Sequence, residues 1–110
     1  MGQDLTIEVE DQPDKQRFVV VVNGEDAGGA YYRWHPHPDG DRRVYTHTEV
    51  DERFEGQGVG SALARVALDI SGESGEKVVP LCPFIQRYIE RHAEYQGLVD
   101  EELRSDLGKP

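Results

Sequence analysis

Three glycines at alternate positions, Gly56, Gly58 and Gly60, are the residues whose spacing points most clearly to chemistry. They stand between a strand-like pattern and a helical one. Glycine accepts backbone conformations that other residues avoid, and it lets a ligand approach the main chain closely. The first turn of a helix also leaves N–H groups without partners and carries partial positive charge. The junction therefore predicts a phosphate or pyrophosphate site, although a tight turn that binds nothing fits the spacing alone equally well.

Cys82 is the only cysteine of the chain and precedes Pro83, which suits the first position of a helix. A helix N-terminus lowers the pKa of a thiol, so Cys82 is a candidate for chemistry; a buried cysteine acting as a small apolar residue is the alternative. His35 and His37 could suggest a metal, but they lie in a proline-rich loop without further ligands. We therefore predict no metal site, and a single cysteine allows no internal disulfide.

The composition restricts the classes of partner. The 110 residues include 22 acidic and 12 basic side chains, which gives a formal charge of −10. A general nucleic-acid binder needs a basic face and an anionic membrane surface attracts basic segments, so we predict neither partner. No apolar run approaches the ~20 residues of a membrane span, no signal peptide is visible, and cysteine usage fits a reducing compartment. These features predict a cytoplasmic location. Residues 1–6 match an N-myristoylation pattern, but Leu5 and Thr6 favour a strand.

The elements that must position these residues begin with strands. Alternating apolar residues predict a half-buried strand over 5–10, and a β-branched run predicts a buried strand over 18–22. Asn23-Gly24 is a strong hairpin signal. Further strands are predicted over 27–34 and 43–50, so the first part of the chain is expected to form an antiparallel meander.

A helix, a fifth strand and a second helix follow the glycines. The helix is expected to bury Ala62, Leu63, Val66, Ala67 and Ile70. Ser71-Gly72 and Gly75 are expected to end it. Residues 77–81 predict a fifth strand and complete a β-α-β crossover, and the second helix begins at Pro83. Gly97 ends the ordered pattern, and residues 100–110 are expected to form a polar, frayed tail.

Several segments together resemble the GNAT superfamily of acyl-CoA-dependent N-acyltransferases, and most of all its small single-domain YjdJ-like branch. They are Thr48-Glu49-Val50, Gly56-Gln57-Gly58-Val59-Gly60, Val78-Val79-Pro80-Leu81-Cys82-Pro83-Phe84, Tyr88-Ile89-Glu90-Arg91-His92 and Glu94-Tyr95. The resemblance covers about residues 5–99 of a single domain spanning 1–110. It implies an α/β fold with a mixed sheet, in which the meander is followed by the crossover and a C-terminal helix.

The resemblance also implies a site for acetyl-coenzyme A where the fourth and fifth strands diverge. The pyrophosphate would lie on the backbone N–H groups of residues 57–61, and the backbone of Glu49 and Val50 would pair with the pantetheine arm. The implied cofactor-binding residues are Val50, Gly56, Gln57, Gly58, Val59, Gly60 and Ser61. The cations best placed to offset the phosphates are Arg53, Arg87 and Arg91.

Aminolysis of a thioester needs a neutral amine, a polarised carbonyl and a proton for the departing thiolate. Glu49 is the candidate general base, with a solvated strand carboxylate as the alternative, and His47 shares its face by the period of two. Tyr88 is the candidate general acid, with core packing as the alternative. Cys82 would assist the transfer or carry the acetyl group itself. Weaker candidates are His92 and Tyr95.

Two departures from the superfamily pattern bear on function. Glu55 stands where Gln or Arg usually opens the glycine motif, and a carboxylate there is unfavourable beside a pyrophosphate unless it faces solvent. Only residues 11–16 separate the first two strands, so the two helices that build the acceptor pocket of larger members are absent. We predict a small acetyl-CoA-dependent N-acetyltransferase with an amine acceptor, and a weak homodimer is compatible with this. The alternatives are an acyl-CoA-binding module with little or no transferase activity and a domain that serves only as an interaction surface.

Overall fold

The computed structural model describes residues 5–108. The first four residues of the N-myristoylation pattern and the last two of the expected tail lie outside this range. The elements are β1 (Ile7–Gln12), β2 (Arg17–Val22), β3 (Glu25–His35), β4 (Arg42–Val50), α1 (Val59–Glu73), β5 (Val78–Pro80), α2 (Pro83–Arg91) and α3 (Glu101–Leu107). Short 3-10 helices occupy Pro13–Lys15, Glu52–Phe54 and Ala93–Leu98.

A mixed sheet holds β1 to β5 in their chain order. β1 to β4 are antiparallel neighbours, and β5 runs parallel to β4 after the α1 crossover. The predicted meander and crossover are therefore confirmed. Asn23 and Gly24 have φ values of 50° and 84°, which are the two positive values that a tight hairpin turn between β2 and β3 requires.

The core forms where α1 packs against β1 to β4. The buried side chains of α1 are Val59, Leu63, Ala64, Ala67, Leu68 and Ser71. The predicted face was therefore partly wrong, since Ala62, Val66 and Ile70 are only half-buried. Tyr45 accounts for this rotation: its buried hydroxyl donates to Ala67 O at 3.2 Å and lies 3.0 Å from Ser71 Oγ. A buried polar group must be paired, so Ser71 is held against the sheet.

A bulge in β4 changes the side on which its residues lie. Tyr31 and Tyr32 of β3 pair with His47 and Tyr45, which leaves Thr46 as one extra residue in β4. Such a residue shifts the alternation of side chains along the strand. Tyr45 points into the core, whereas His47 and every second residue after it lie on the face of the sheet opposite α1.

The ends of the helices differ from the sequence prediction. α1 runs through Gly72 to Glu73, and the 3-10 helix after α2 passes through Gly97, so neither glycine ends an element. Gly75, with φ +72°, does follow the cap of α1 as predicted. Glu101–Leu107 is a helix rather than a frayed tail. Asp100 explains this, because its Oδ1 accepts from the Leu103 N–H at 3.0 Å and its Oδ2 accepts from Arg42 Nε at 2.9 Å. The cap stabilises α3 and the ion pair ties it to β4.

Candidate active site

β4 and β5 are hydrogen-bonded at one end and diverge at the other. Their register pairs cover three positions and end at Tyr45 and Pro80. The N–H groups of Leu81 and Cys82 then both donate to Tyr45 O at 3.0 Å. Beyond this point β4 continues to Val50, while the chain after β5 turns into α2. The divergence that the resemblance implies is therefore present.

A groove of about 400 Å³ lies at this divergence. It is lined by the end of β4, the glycine segment and the first turns of α1 and α2: Thr48, Val50, Phe54, Glu55, Gly56, Gly58, Val59, Gly60, Ser61 and Phe84. Small-molecule sites occupy about 300–1,000 Å³, so the groove has the size of a binding site. The structure brings together all the expected cofactor-binding residues except Gln57.

The N-terminus of α1 opens into this groove. The Ala62 N–H donates to Gly58 O at 3.0 Å and is the first amide of the helix to find an acceptor. Within residues 5–108, the N–H groups of Val59, Gly60 and Ser61 have no acceptor, and all three residues line the groove. Free amides at the positive end of a helix are suited to an anion, so this turn fits a pyrophosphate.

Two residues of the glycine segment refine this description. The Gln57 N–H donates to Phe54 O at 3.3 Å and its side-chain Nε2 donates to Arg53 O at 3.1 Å, so Gln57 stabilises the turn instead of offering its amide. A Cβ on Gly60 would lie 2.7 Å from Cζ of Phe84. Glycine at this position lets the Phe84 ring lie directly over the first turn of α1.

Cys82 lies at the edge of the groove, behind Thr48. It is the N-cap residue of α2 and is 3% exposed. Its Sγ donates to Thr48 Oγ1 at 3.2 Å, so the contact spans the gap between β4 and α2. The thiol is also part of the core cluster. The surroundings of Cys82 therefore fit both a packing role and a role at the site, since the side chain packs in the core and contacts a residue of the groove.

Glu49 lies on the other face of β4, with His47 and Tyr31. The Tyr31 hydroxyl donates to Glu49 Oε1 at 3.4 Å, and His47 Nε2 lies 3.4 Å from Glu49 Oε2. The side chains of His47 and Glu49 are 63% and 58% exposed, and exposed ion pairs contribute little stability. The Glu49 carboxylate is therefore open to solvent on this face of β4. The base candidate and the thiol candidate lie on opposite sides of one strand.

Tyr88 does not line the groove. Its ring stacks on His92 with 3.9 Å between ring centroids and lies 5.9 Å from the ring of Tyr95. Burial raises the pKa of the Tyr88 phenol. Burial and a 2.7 Å hydrogen bond to Asp69 Oδ1 raise the pKa of Tyr95. The phenols therefore stay protonated at neutral pH, but the structure places them along α1 and not among the lining residues.

The expected phosphate-binding arginines differ in their surroundings. Arg53 contacts Asp51 at 3.1 Å and Glu25 at 3.2 Å, so its charge is already balanced. Arg87 and Arg91 are exposed on α2. Glu55 is exposed although it lines the groove, which is the orientation that a carboxylate near phosphates requires.

The histidines of the proline-rich loop do not form a metal site in the part of the chain that the structure describes. His37 Nδ1 accepts from the Asp39 N–H at 3.0 Å, and His35 ends β3. No group of three or more His, Cys, Asp or Glu side chains within residues 5–108 is arranged to hold a metal ion. None of the helices in that range is long and apolar enough to cross a membrane.

Thr48 and Phe84 are lining residues that the sequence analysis did not single out as site residues. Thr48 belongs to the segment Thr48-Glu49-Val50 of the resemblance but was given no role, because the bulge that directs it toward Cys82 leaves no clear sequence signal. Phe84 was named only within the segment 78–84 of the resemblance, and its side chain is 39% exposed. The available signal was a large apolar side chain directly after Pro83, the first residue of α2, where the side chain can pack over a glycine.

Comparison with known proteins agrees with this geometry. The family described as GCN5-related N-acetyl-transferase matches residues 17–98. Protein NATD1 of Gallus gallus is 33% identical over 94 residues, which cover 84% of this chain and 82% of that protein. Protein NATD1 of Homo sapiens is 33% identical over 94 residues, with coverages of 84% and 80%.

A solved structure supports the fold. The crystal structure of an aminoglycoside acetyltransferase, meta-AAC0020 from an uncultured soil metagenomic sample, superposes with a TM-score of 0.53 at 14% identity. The match covers 73% of this chain but only 55% of that enzyme. At this identity the likeness extends to the fold alone.

Proposed function

The chain belongs to the GCN5-related N-acetyltransferase family, and from this premise we propose that it transfers an acetyl group from acetyl-coenzyme A to an amine. One observation carries the proposal: the gap between β4 and β5 leads to the N-terminus of α1, where the N–H groups of Val59, Gly60 and Ser61 have no acceptor within the described residues. Hydrogen bonds to a charged group contribute about 1.5–3 kcal/mol each, so three amides suffice to hold a diphosphate.

The remaining cofactor contacts follow from the groove. Gly56 and Gly58 have φ values of 76° and 79°, conformations that keep the backbone close to the ligand without side-chain strain. Gln57 orders the turn, and Val50 lies against Gly60. The Asp51 N–H donates to Ala27 O in β3. Alternate residues of a strand direct their backbone groups to opposite neighbours, so Val50 rather than Glu49 offers its backbone to the pantetheine arm.

The side chains that we assign to the reaction lie on two sides of β4. The amine forms a bond to the carbonyl carbon, the carbon–sulfur bond breaks, one proton leaves the amine and one is taken up by the departing thiolate. Glu49 accepts the amine proton on the face opposite α1, assisted by His47. On the helix side Cys82 acts through its contact with Thr48, and the departing thiolate takes its proton from water. Tyr88 could donate a proton to the thiolate only if α2 moved, because its ring is stacked on His92 and does not line the groove.

A cationic acceptor fits the surface next to Glu49. A concavity of about 350 Å³ shares Val50 with the cofactor groove and is lined by Asp26, Ala27, Gly28, Glu49, Val50, Asp51 and Glu52. Four of these side chains are carboxylates, and the chain has a formal charge of −10. Opposite charge raises the local concentration of a ligand, so polyamines, lysines and amino termini are the acceptors that we propose.

A second candidate function rests on the connection between β1 and β2. This connection is the single 3-10 turn Pro13–Lys15, without any helix to enclose an acceptor. An acyl-CoA-binding module with little transfer would have the same groove and need no acceptor pocket.

One experiment separates the two. Thermal unfolding with and without coenzyme A tests the groove, and thiol release from acetyl-CoA with a panel of amines, checked by the mass of the acetylated product, tests transfer. A stabilised protein and an acetylated amine support the transferase. Stabilisation without product at any amine indicates the binding module, and absence of stabilisation contradicts both.

A further inference from the structure

Thr48 is held by a contact that fixes the direction of its hydroxyl. The Cys82 Sγ–H donates to Thr48 Oγ1 at 3.2 Å. Cys82 itself is anchored, because its N–H donates to Tyr45 O at 3.0 Å and its side chain is packed in the core. The sulfur therefore approaches Thr48 from a fixed position on the helix side of the gap.

This contact leaves the proton of the Thr48 hydroxyl available. A hydroxyl carries one donor and two acceptor lone pairs, and the thiol occupies one lone pair. Sulfur is a weak acceptor, so a carbonyl oxygen in the groove is a stronger partner for the Thr48 proton than Cys82 Sγ is. Within residues 5–108 the structure gives this proton no acceptor other than Cys82 Sγ, and Thr48 lines the groove. The hydroxyl can thus donate to a ligand in the groove.

The position of Thr48 in the groove decides which ligand atom it meets. The groove is open at the N-terminus of α1, where the phosphates belong, and closes where Tyr45 O binds the N–H groups of Leu81 and Cys82. The acyl end of a ligand bound in this direction lies at the closed end, next to Thr48. Donors aimed at the oxygen on which charge develops accelerate acyl transfer.

We propose that the Thr48 hydroxyl donates a hydrogen bond to the thioester carbonyl oxygen, and that Cys82 is a positioning residue that orients this hydroxyl. The proposal rests on the proposed function for the placement of acyl-coenzyme A. It assigns a catalytic role to a side chain of β4 and limits the thiol to holding it, so no covalent bond to Cys82 forms.

The test compares Thr48→Val, which removes the hydroxyl at nearly constant shape, with Thr48→Ser, which retains it. Calorimetry measures the Kd for coenzyme A and for acetyl-dethia-coenzyme A, a ketone analogue in which CH2 replaces the thioester sulfur. We expect Thr48→Val to leave the Kd for coenzyme A within about twofold and to weaken the ketone analogue about tenfold, the effect of one hydrogen bond. Thr48→Ser should bind both as the unchanged protein does.

Turnover adds a second readout. Thr48→Val should lower kcat with acetyl-CoA by about 10- to 100-fold, in the lower part of the range for one oxyanion donor, with little change in KM. Cys82→Ala should lower kcat less, and the double variant should be no slower than Thr48→Val alone, because coupled residues are not additive. Thermal unfolding of each variant serves as the folding control.

Several results would overturn the inference. One is equal weakening of coenzyme A and the ketone analogue in Thr48→Val, which would place the hydroxyl on the pantetheine arm; another is an unchanged preference for the ketone analogue. If the unchanged protein bound neither molecule, the groove assignment and this inference would both fail. If it bound both molecules without turnover, the proposed transfer would fail, while the selective loss in Thr48→Val would still support the hydroxyl contact.

Discussion

At the scale of single residues, neighbouring side chains of β4 serve different parts of the site. Thr48 contacts Cys82 on the helix side, whereas Glu49 contacts Tyr31 and lies near His47 on the opposite face. An amine that approached from the Glu49 side would not displace Thr48 or Cys82. This separation favours direct attack by the amine over a relay through the thiol.

Gly58 provides a test of the anion cradle. It caps α1 with φ +79°, where a side chain costs roughly 1–2 kcal/mol and a β-branched one more. Gly58→Val should reduce the affinity for coenzyme A at least tenfold, measured by calorimetry, because the first turn of α1 is distorted. Gln57→Ala is the matched control and should change affinity less than twofold, since the Gln57 side chain is exposed and bonds only to Arg53 O.

Cys82 provides a test of direct transfer. The thiol is 3% exposed, so it is poorly placed to exchange an acetyl group with solvent-borne acceptors. Mass spectrometry after incubation with acetyl-CoA in the absence of an amine should find no stoichiometric acetylation, and Cys82→Ala should retain part of the activity. An acetyl-Cys82 that is discharged by added amine would refute direct attack.

At the scale of elements, the end of the chain depends on one capped helix. Asp100 accepts from the Leu103 N–H and from Arg42 Nε, and it joins α3 to β4 and β5. The backbone hydrogen bond, followed by Arg42, lowers the pKa of the Asp100 carboxyl. A carboxyl whose pKa is lower in the folded state stabilises the fold above its unfolded pKa, and this contribution is lost as pH falls through the folded value.

Asp100→Ala should therefore lower the free energy of unfolding by about 1–2 kcal/mol at pH 7, the effect of a lost N-cap. The difference should shrink as pH falls below about 4, where an unfolded Asp becomes protonated. Urea titrations at several pH values measure it. Glu102→Ala, an exposed acidic residue of the same helix, should have little effect. A difference that persisted unchanged at pH 2 would rule out the charged cap.

Much of the order of elements could be predicted from local patterns, and most of what was missed depends on tertiary contacts. Asn23-Gly24 and Pro83 specify a turn and a helix start through their own backbone preferences. The rotation of α1 depends on the Tyr45 hydroxyl beneath it, and the order of α3 depends on Arg42, 58 residues from its cap. The direction of Thr48 follows from the bulge at Thr46, which no local propensity marks.

The candidate site was predicted in part. Val50 and the glycine segment, apart from Gln57, line the groove, because the junction between β4 and α1 lies where β4 and β5 diverge. Gln57 and Tyr88 lie outside the lining. For Gln57 the reason is a turn hydrogen bond to Phe54 O, and for Tyr88 it is stacking on His92. The roles of Glu49, Tyr88 and Cys82 remain predictions.

At the scale of the whole molecule, the net negative charge and the exposed face of β4 at Glu49 both bear on the choice of acceptor. The formal charge of −10 repels phosphate polymers and attracts cations over a distance set by ionic strength. The connection between β1 and β2 contains only the short 3-10 helix Pro13–Lys15. It therefore supplies no longer helix to cover the face of β4 that carries Glu49. A single domain over residues 1–110, a weak homodimer and a cytoplasmic location remain predictions.

Salt should therefore slow transfer to cationic acceptors. kcat/KM for a polyamine should fall severalfold between about 10 and 200 mM salt, because the Debye length shrinks from roughly 30 Å to less than 10 Å. A neutral primary amine of similar size is the control and should respond little. Tight binding of duplex DNA at physiological ionic strength would contradict this electrostatic interpretation.

Titration of 15N-labelled protein with coenzyme A tests most directly whether the N-terminus of α1 holds the cofactor. The N–H groups of Val59, Gly60 and Ser61 have no acceptor within the described residues. Their amide signals should therefore move furthest, together with the signal of Val50. Signals of the opposite end of the sheet, such as Asp39 and Gly40 in the connection between β3 and β4, should not move. Saturable binding that leaves the three α1 amides unshifted would show that coenzyme A binds elsewhere, and absence of binding would contradict the proposed function.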